Sequence, residues 1–311
     1  TWLQRTVYQW ALNVGKQRSH QRTENLPVNF WLRIKGAMAR FFIYNKVMDI
    51  FGGRIRFMIS GAAPISPDII HYFNWMGIDV YEGYGMTETA GVISANMPGK
   101  VKIGSVGQAL PDTQIKIAED GEICVKAPQN ISGYYKNKEA TDELLHPGKN
   151  GELWLHTGDV GYLDEEDFLF ITDRKKDILI TAGGKNVAPQ NIENLLKTSP
   201  YVSQAMVYGD RKPYLTALIT LDEDEITKFA RDKKLLYQDQ GDLSNKPEVI
   251  DLINGEVSIK NEDLASYETV KKFRILEEDF DQDKDEITPT FKIRRKVIVE
   301  HYEDLLNGMY A

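Results

Sequence analysis

Leu153–Lys176, LWLHTGDVGYLDEEDFLFITDRKK, separates two differently textured halves of the chain. Two strand-like runs, Leu153 to His156 and Phe168 to Ile171, flank an acidic turn from Leu163 to Asp167, which is the pattern of a β-hairpin. Directly after the second run stand Asp173, Arg174, Lys175, Lys176 and Asp177. No core could hold these consecutive charges, and on spacing alone they read as a solvated turn. Asp159 follows a glycine at a strand end, where an aspartate either bonds its own backbone or offers its carboxylate to a ligand.

A chain of 311 residues can bury a sizeable core and implies two or three units. With 42% hydrophobic and 27% charged residues it reads as an ordinary soluble globular protein. The net charge of -8 argues against general binding to nucleic acid and leaves room for a local basic site for an anion. Cys124, the single cysteine, has no disulfide partner, which implies a reducing compartment and a cytoplasmic location. No apolar run approaches the ~18 residues of a membrane span; peripheral membrane contact and a homo-oligomer stay open.

Upstream, Phe30, Trp31, Ile34, Met38, Phe41 and Phe42 recur at helical spacing and predict a core helix stopped by Gly52-Gly53. A strand from Ile55 to Ile59 then runs into Ser60-Gly61-Ala62-Ala63-Pro64. Ser66 caps a helix with Pro67 in its first turn, and a second strand follows from Ile78 to Tyr81. That order predicts α/β structure with a parallel sheet, whose ligands lie beyond the carboxyl ends of the strands. There, small residues let backbone N–H groups approach a ligand, and Tyr84 between Gly83 and Gly85 offers a ring for a base to stack on. From about Gly104 the chain reads as short strands with turns, including the Asp120-Gly121 hairpin signal, and predicts a small antiparallel barrel or distorted sheet. Downstream, the helix begun by Pro189, the strands Gln204 to Tyr208 and Leu215 to Leu221, and helices near Glu223 and Pro247 predict a separate α+β unit.

Taken together, Ser60–Pro64, Tyr84-Gly85-Met86-Thr87-Glu88, His156-Thr157-Gly158-Asp159 and the pair Arg174 and Lys176 resemble signature segments of the adenylate-forming superfamily. Acyl-CoA synthetases, luciferases and peptide-synthetase adenylation domains belong to it. Thr288-Pro289-Thr290-Phe291-Lys292 resembles its C-terminal lysine segment in the form carried by long-chain acyl-CoA synthetases, and Gly133-Tyr134-Tyr135 matches a segment whose role reads as structural. The resemblance implies an α/β fold: the remainder of a large N-terminal domain followed by a mobile α+β C-terminal domain. Residues 1–104 would be parallel α/β and 105–173 β-barrel-like, with 174–176 as a hinge and 177–311 as the C-terminal domain.

It also implies ATP-dependent activation of a long-chain fatty acid to acyl-CoA, with ATP, Mg²⁺ and coenzyme A as participants. Gly61, Ala62, Ala63, Tyr84, Gly85, Asp159 and Arg174 would bind ATP or AMP, with Ala62 standing where many relatives have glycine. Thr87, Glu88 and Lys292 would be catalytic, Glu88 would hold the metal, Lys176 would be the hinge, and Gly183 and Gly184 would meet coenzyme A. Gly85 would also leave a wall open for a long acyl tail. No segment resembles the Ser/Thr/Gly-rich phosphate loop ending in lysine, and the chain opens on Thr1. Both imply the C-terminal half of a longer ligase, inactive alone. Another acid–thiol or acyl-AMP ligase, and a catalytically silent nucleotide-binding module, remain as alternatives.

Overall fold

The computed structural model describes residues 2–23, 26–27, 29–288 and 292–311. Strands Phe57–Ser60 (β1) and Asp79–Met86 (β2) pair in parallel with Ser60 opposite Glu82, and the helix Pro67–Trp75 connects them. The Ser66 hydroxyl accepts from Asp68 N at 3.3 Å and Pro67 opens the helix, so local chemistry alone starts it where expected. The sheet is mixed beyond this pair: Gly91–Ala95 (β3) and Gln108–Ala109 (β4) add antiparallel strands.

A second sheet contains Gln114–Ile117 (β5), Glu122–Lys126 (β6), Leu145–Pro147 (β7), Leu153–Leu163 (β8) and Leu169–Arg174 (β9). The β5–β6 turn uses Gly121 at φ +86°, and the β8–β9 turn uses Asp167 at φ +62° with Asp164 accepting from the N–H groups of Glu166 and Phe168. The barrel expected for residues 105–173 does not close. The order is β5-β6-β8-β7 with β9 also on β8, and Leu169 of β9 exchanges bonds with Val106 and Gly107, so its outer edge is taken by the chain ahead of β4. Ile123, Val125 and Leu169 meet Tyr84 and Ile93 in one core cluster.

The helix Phe30–Ala39 turns an unexpected face inward. Its buried residues are Leu32, Gly36 and Ala39, whereas Trp31 is 67% and Phe41 71% exposed. Gly36 sits against the Arg18 side chain of the helix Trp2–Thr23, so closeness of approach, not apolar period, chose the face. No helix among the described residues is long and apolar enough to cross a membrane.

The chain forms two compact units, Thr1–Thr157 with Gly161–Ile171, and Gly158–Val160 with Thr172–Ala311; β8 and β9 supply residues to both. The second unit opens with Leu179–Ile180 (β10) and Asn186–Val187 (β11). Val202–Tyr208 (β12) then pairs antiparallel with Leu215–Leu221 (β13), which pairs in parallel with Val270–Ile275 (β14). Alternation along β12 explains its two cores: Ala205 and Val207 meet the helices Pro189–Leu196 and Pro247–Asn261, while Met206 meets Phe280, Ile298, Leu306 and Met309.

Candidate functional site

At the carboxyl ends of β1 and β2 the backbone is unusually tight. Ala62 adopts φ +67°, the left-handed region that glycine occupies without a Cβ penalty. A Cβ on Gly61 would stand 3.2 Å from the Gly83 carbonyl, so the small-residue turn lies directly on β2. A Cβ on Gly85 would stand 2.0 Å from the Gly91 carbonyl. The expectation that Gly85 leaves a wall open is therefore corrected: the volume a side chain would fill is the backbone of β3. Tyr84 was expected to present its ring, but the ring is 8% exposed within the core cluster.

The turn Thr87–Thr89 follows β2 and is held by Thr89, whose hydroxyl donates to Met86 and Gly91 carbonyls and accepts from Met86 N. Thr87 is thereby exposed and the Glu88 carboxylate half-buried, accepting from the Tyr134 hydroxyl at 2.7 Å. Among the described residues no group of three or more His, Cys, Asp and Glu could hold a metal. A hard cation at Glu88 would thus take its other ligands from phosphate oxygens and water, a donor set suited to Mg²⁺.

Glu82, two residues before Tyr84, is a buried carboxyl pushed up from 4.5 to about 7 by burial, against a bond from Gly104 N at 3.3 Å. The fold keeps a proton there that the unfolded chain releases. Stability of the first unit is therefore expected to fall as pH rises from 4.5 to about 7 and then level off. Glu82→Gln keeps an acceptor for Gly104 and should flatten that slope in urea midpoints taken at about pH 5 and about pH 8. A variant with the wild-type slope would sink this assignment.

In the second unit, Arg174 Nε donates to Asp159 Oδ1 at 3.2 Å, with Asp159 buried and Arg174 largely exposed. Lys175 N bonds the Gly158 carbonyl, and Asp177 and Ile178 N–H groups bond Arg174 O, so the charged run is a hydrogen-bonded turn. Lys176 lines a cavity of about 520 Å³ with Asp177, Ile180, Asp210, Arg211 and Arg295. Gly183 lines a smaller one of about 180 Å³ with Thr181, Lys185, Tyr214, Tyr267 and Lys271, and Gly184 makes the turn there at φ +72°. Lys292 is exposed, with Thr288 N donating to the Lys292 carbonyl and Lys292 N to the Thr288 hydroxyl. Pro289, Thr290 and Phe291 of that segment lie outside the described residues.

The AMP-binding enzyme profile matches residues 6–135, and the profile of the AMP-binding enzyme C-terminal domain matches residues 176–311. This chain belongs to the AMP-binding enzymes. It is 40% identical to the long-chain-fatty-acid–CoA ligase FadD15 of Mycobacterium bovis over 317 residues, covering 98% of this chain and 52% of that protein. It is 34% identical to the peroxisomal long chain acyl-CoA synthetase 7 of Arabidopsis thaliana, covering 99% and 45% respectively. The chain thus spans about half the length of the curated relatives it matches. Its fold is similar to the adenylation domain of a carboxylate reductase from Mycobacterium chelonae, with a TM-score of 0.68 at 23% identity over 96% of this chain and 45% of that one. The O-succinylbenzoate coenzyme A synthetase of Bacillus subtilis, solved with ATP and a magnesium ion, gives 0.57 at 28% identity over 78% and 46%.

Three features of this AMP-binding chain escaped the sequence reading. Tyr134 lies 46 residues from the carboxylate it bonds. Asp173, just before the turn at Arg174, is a buried carboxyl pushed up by burial to about 6 against the pull of Arg295. Arg295, within the charged run Arg294-Arg295-Lys296, bonds Glu193 and the Val207 carbonyl. The apolar Ile293 and Val297 on either side are its one local signal of an inward-facing position.

Proposed function

We propose that this chain is part of a long-chain fatty-acid–CoA ligase, in which a fatty carboxylate attacks the α-phosphorus of ATP and pyrophosphate leaves. The thiol of coenzyme A then attacks the acyl carbon and AMP leaves. The observation that carries the reading is the 40% identity to FadD15 along 98% of the chain, together with the site segments described above.

In this reading Gly61, Ala62 and Ala63, with the backbone at Tyr84 and Gly85, receive the nucleotide base, and Asp159 accepts from the ribose hydroxyls beside Arg174. Thr87 donates to the α-phosphate or the acyl carboxylate. Glu88 would hold Mg²⁺, which when bound neutralises charge on the phosphates; the neighbour at 28% identity was solved with ATP and a magnesium ion. Lys292 brings an ammonium to the charge that develops during the first step. Gly183, which lines the smaller cavity, and its neighbour Gly184 face coenzyme A in the second step. The turn at Lys176 is the hinge between residues 1–173 and the mobile domain 177–311, and rotation there exchanges the two faces. The cell interior is the expected location.

These 311 residues contain no Ser/Thr/Gly-rich loop ending in lysine, so the chain by itself is expected to be silent. The test is conversion of labelled hexadecanoate to its acyl-CoA, with Mg-ATP and coenzyme A, by the chain alone and by the full-length protein. Turnover only in the full-length protein is the expected result. Preference for an aryl acid or a carrier-protein thiol would replace the substrate class, and silence in both would overturn the proposal.

A further inference from the structure

The segment Gly133-Tyr134-Tyr135 is wired to the turn that carries Glu88. The Tyr134 hydroxyl donates to Glu88 Oε1 at 2.7 Å, and Ile131 N donates to the Glu88 carbonyl at 2.9 Å. Both sides of this contact are held by their own local chemistry. Tyr134 N donates to the Thr141 hydroxyl at 2.9 Å, that hydroxyl donates to the Asn137 carbonyl, and Asn137 caps the helix Lys138–Leu144 through Ala140 N. Gly133, at φ +141°, leaves room for Thr141, whose Cγ2 would lie 2.6 Å from a Cβ at that position. On the other side, the three bonds of the Thr89 hydroxyl fix the turn.

Two pre-set pieces therefore meet through the Ile131 N–H bond and the phenol on Glu88 Oε1, which leaves Glu88 Oε2 for a cation. Tyr134 is 39% exposed, and in that setting a hydrogen bond contributes little to folding. Its consequence lies in geometry, because partners that orient a metal-binding carboxylate tune its affinity.

We infer that Tyr134 is a positioning residue that sets the Glu88 carboxylate for a phosphate-bound divalent cation; this rests on the proposed role of Glu88. The test uses the full-length protein with Mn²⁺ and a non-hydrolysable ATP analogue, with bound Mn²⁺ read by electron paramagnetic resonance. Tyr134→Phe, which keeps the ring, is expected to weaken Mn²⁺ binding about tenfold and to raise the Mg²⁺ needed for half-maximal rate in step. Its urea midpoint should stay at the wild-type value. Glu88→Gln is the companion variant. Loss of Mn²⁺ in Glu88→Gln with unchanged affinity in Tyr134→Phe overturns the positioning role and leaves Glu88 standing. Unchanged affinity in Glu88→Gln overturns the reading of Glu88 and this inference with it. A Tyr134→Phe midpoint that drops along with affinity makes the bond structural and also overturns the inference.

Discussion

Replacing Lys292 by alanine in the full-length protein is expected to slow acyl-adenylate formation about a hundredfold, the loss of on the order of 3 kcal/mol of transition-state stabilisation typical of a removed charged donor. Thioester formation from supplied acyl-adenylate should change only a few fold. The structure gives a reason to attribute such a loss to the ammonium. Lys292 is exposed, and its bonds to Thr288 use its backbone N–H and carbonyl. Buried Ile287 and its bridge partner Ile293, which flank Thr288 and Lys292, are untouched by truncating the lysine. Alanine therefore removes charge while keeping the fold. Rapid-quench measurement of each half-reaction decides the matter, and equal losses in both would remove Lys292 from the first step.

The largest stability effect is expected from Arg295→Met. Arg295 is 17% and Glu193 6% exposed at the side chain, and their ion pair measures 2.7 Å. The guanidinium also donates to the Val207 carbonyl at 2.6 Å, while Glu193 accepts from Val207 N at 2.7 Å. One residue pair thus ties the helix Pro189–Leu196, β12 and the helix Arg295–His301 together. Removing the cation leaves a buried carboxylate uncompensated and a buried carbonyl without its donor. The cost is expected to be about 4 kcal/mol in the second unit, read by urea unfolding with amide exchange on β12 and β13. The double variant Glu193→Gln with Arg295→Met should regain much of it, since the charge itself is then gone. A loss below about 1 kcal/mol in the single variant would mean that water reaches Glu193.

Much of this architecture is written in local patterns. The Ser66 cap with Pro67, the Asp120-Gly121 turn and the acidic turn around Asp164 each set backbone geometry through bonds within a few residues, and all appear where the residue types place them. The strand expected over Gln204–Tyr208 likewise forms, and its apolar run from Ala205 is covered on both faces. The candidate residues at the ends of β1 and β2, Asp159 with Arg174, and Lys292 were found by segment resemblance to a family, and the ion pair between Asp159 and Arg174 places two of them together.

Three things depended on groups far apart in the chain. The helix Phe30–Ala39 turns Leu32, Gly36 and Ala39 inward, with the Arg18 side chain against Gly36, a steric fit that periodicity cannot see. The second sheet stays open because Val106 and Gly107 occupy the edge of β9, a competition between strand edges sixty residues apart. Gly85 serves the approach of β3, Tyr134 reaches Glu88, and Arg295 reaches Glu193 for a common reason. By itself the sequence determined which segments form strands, turns and helices, because those follow from short-range sterics and capping. The tertiary structure decided which polar groups are taken out of water together, because the cost of burying each one is met only by a partner that folding delivers.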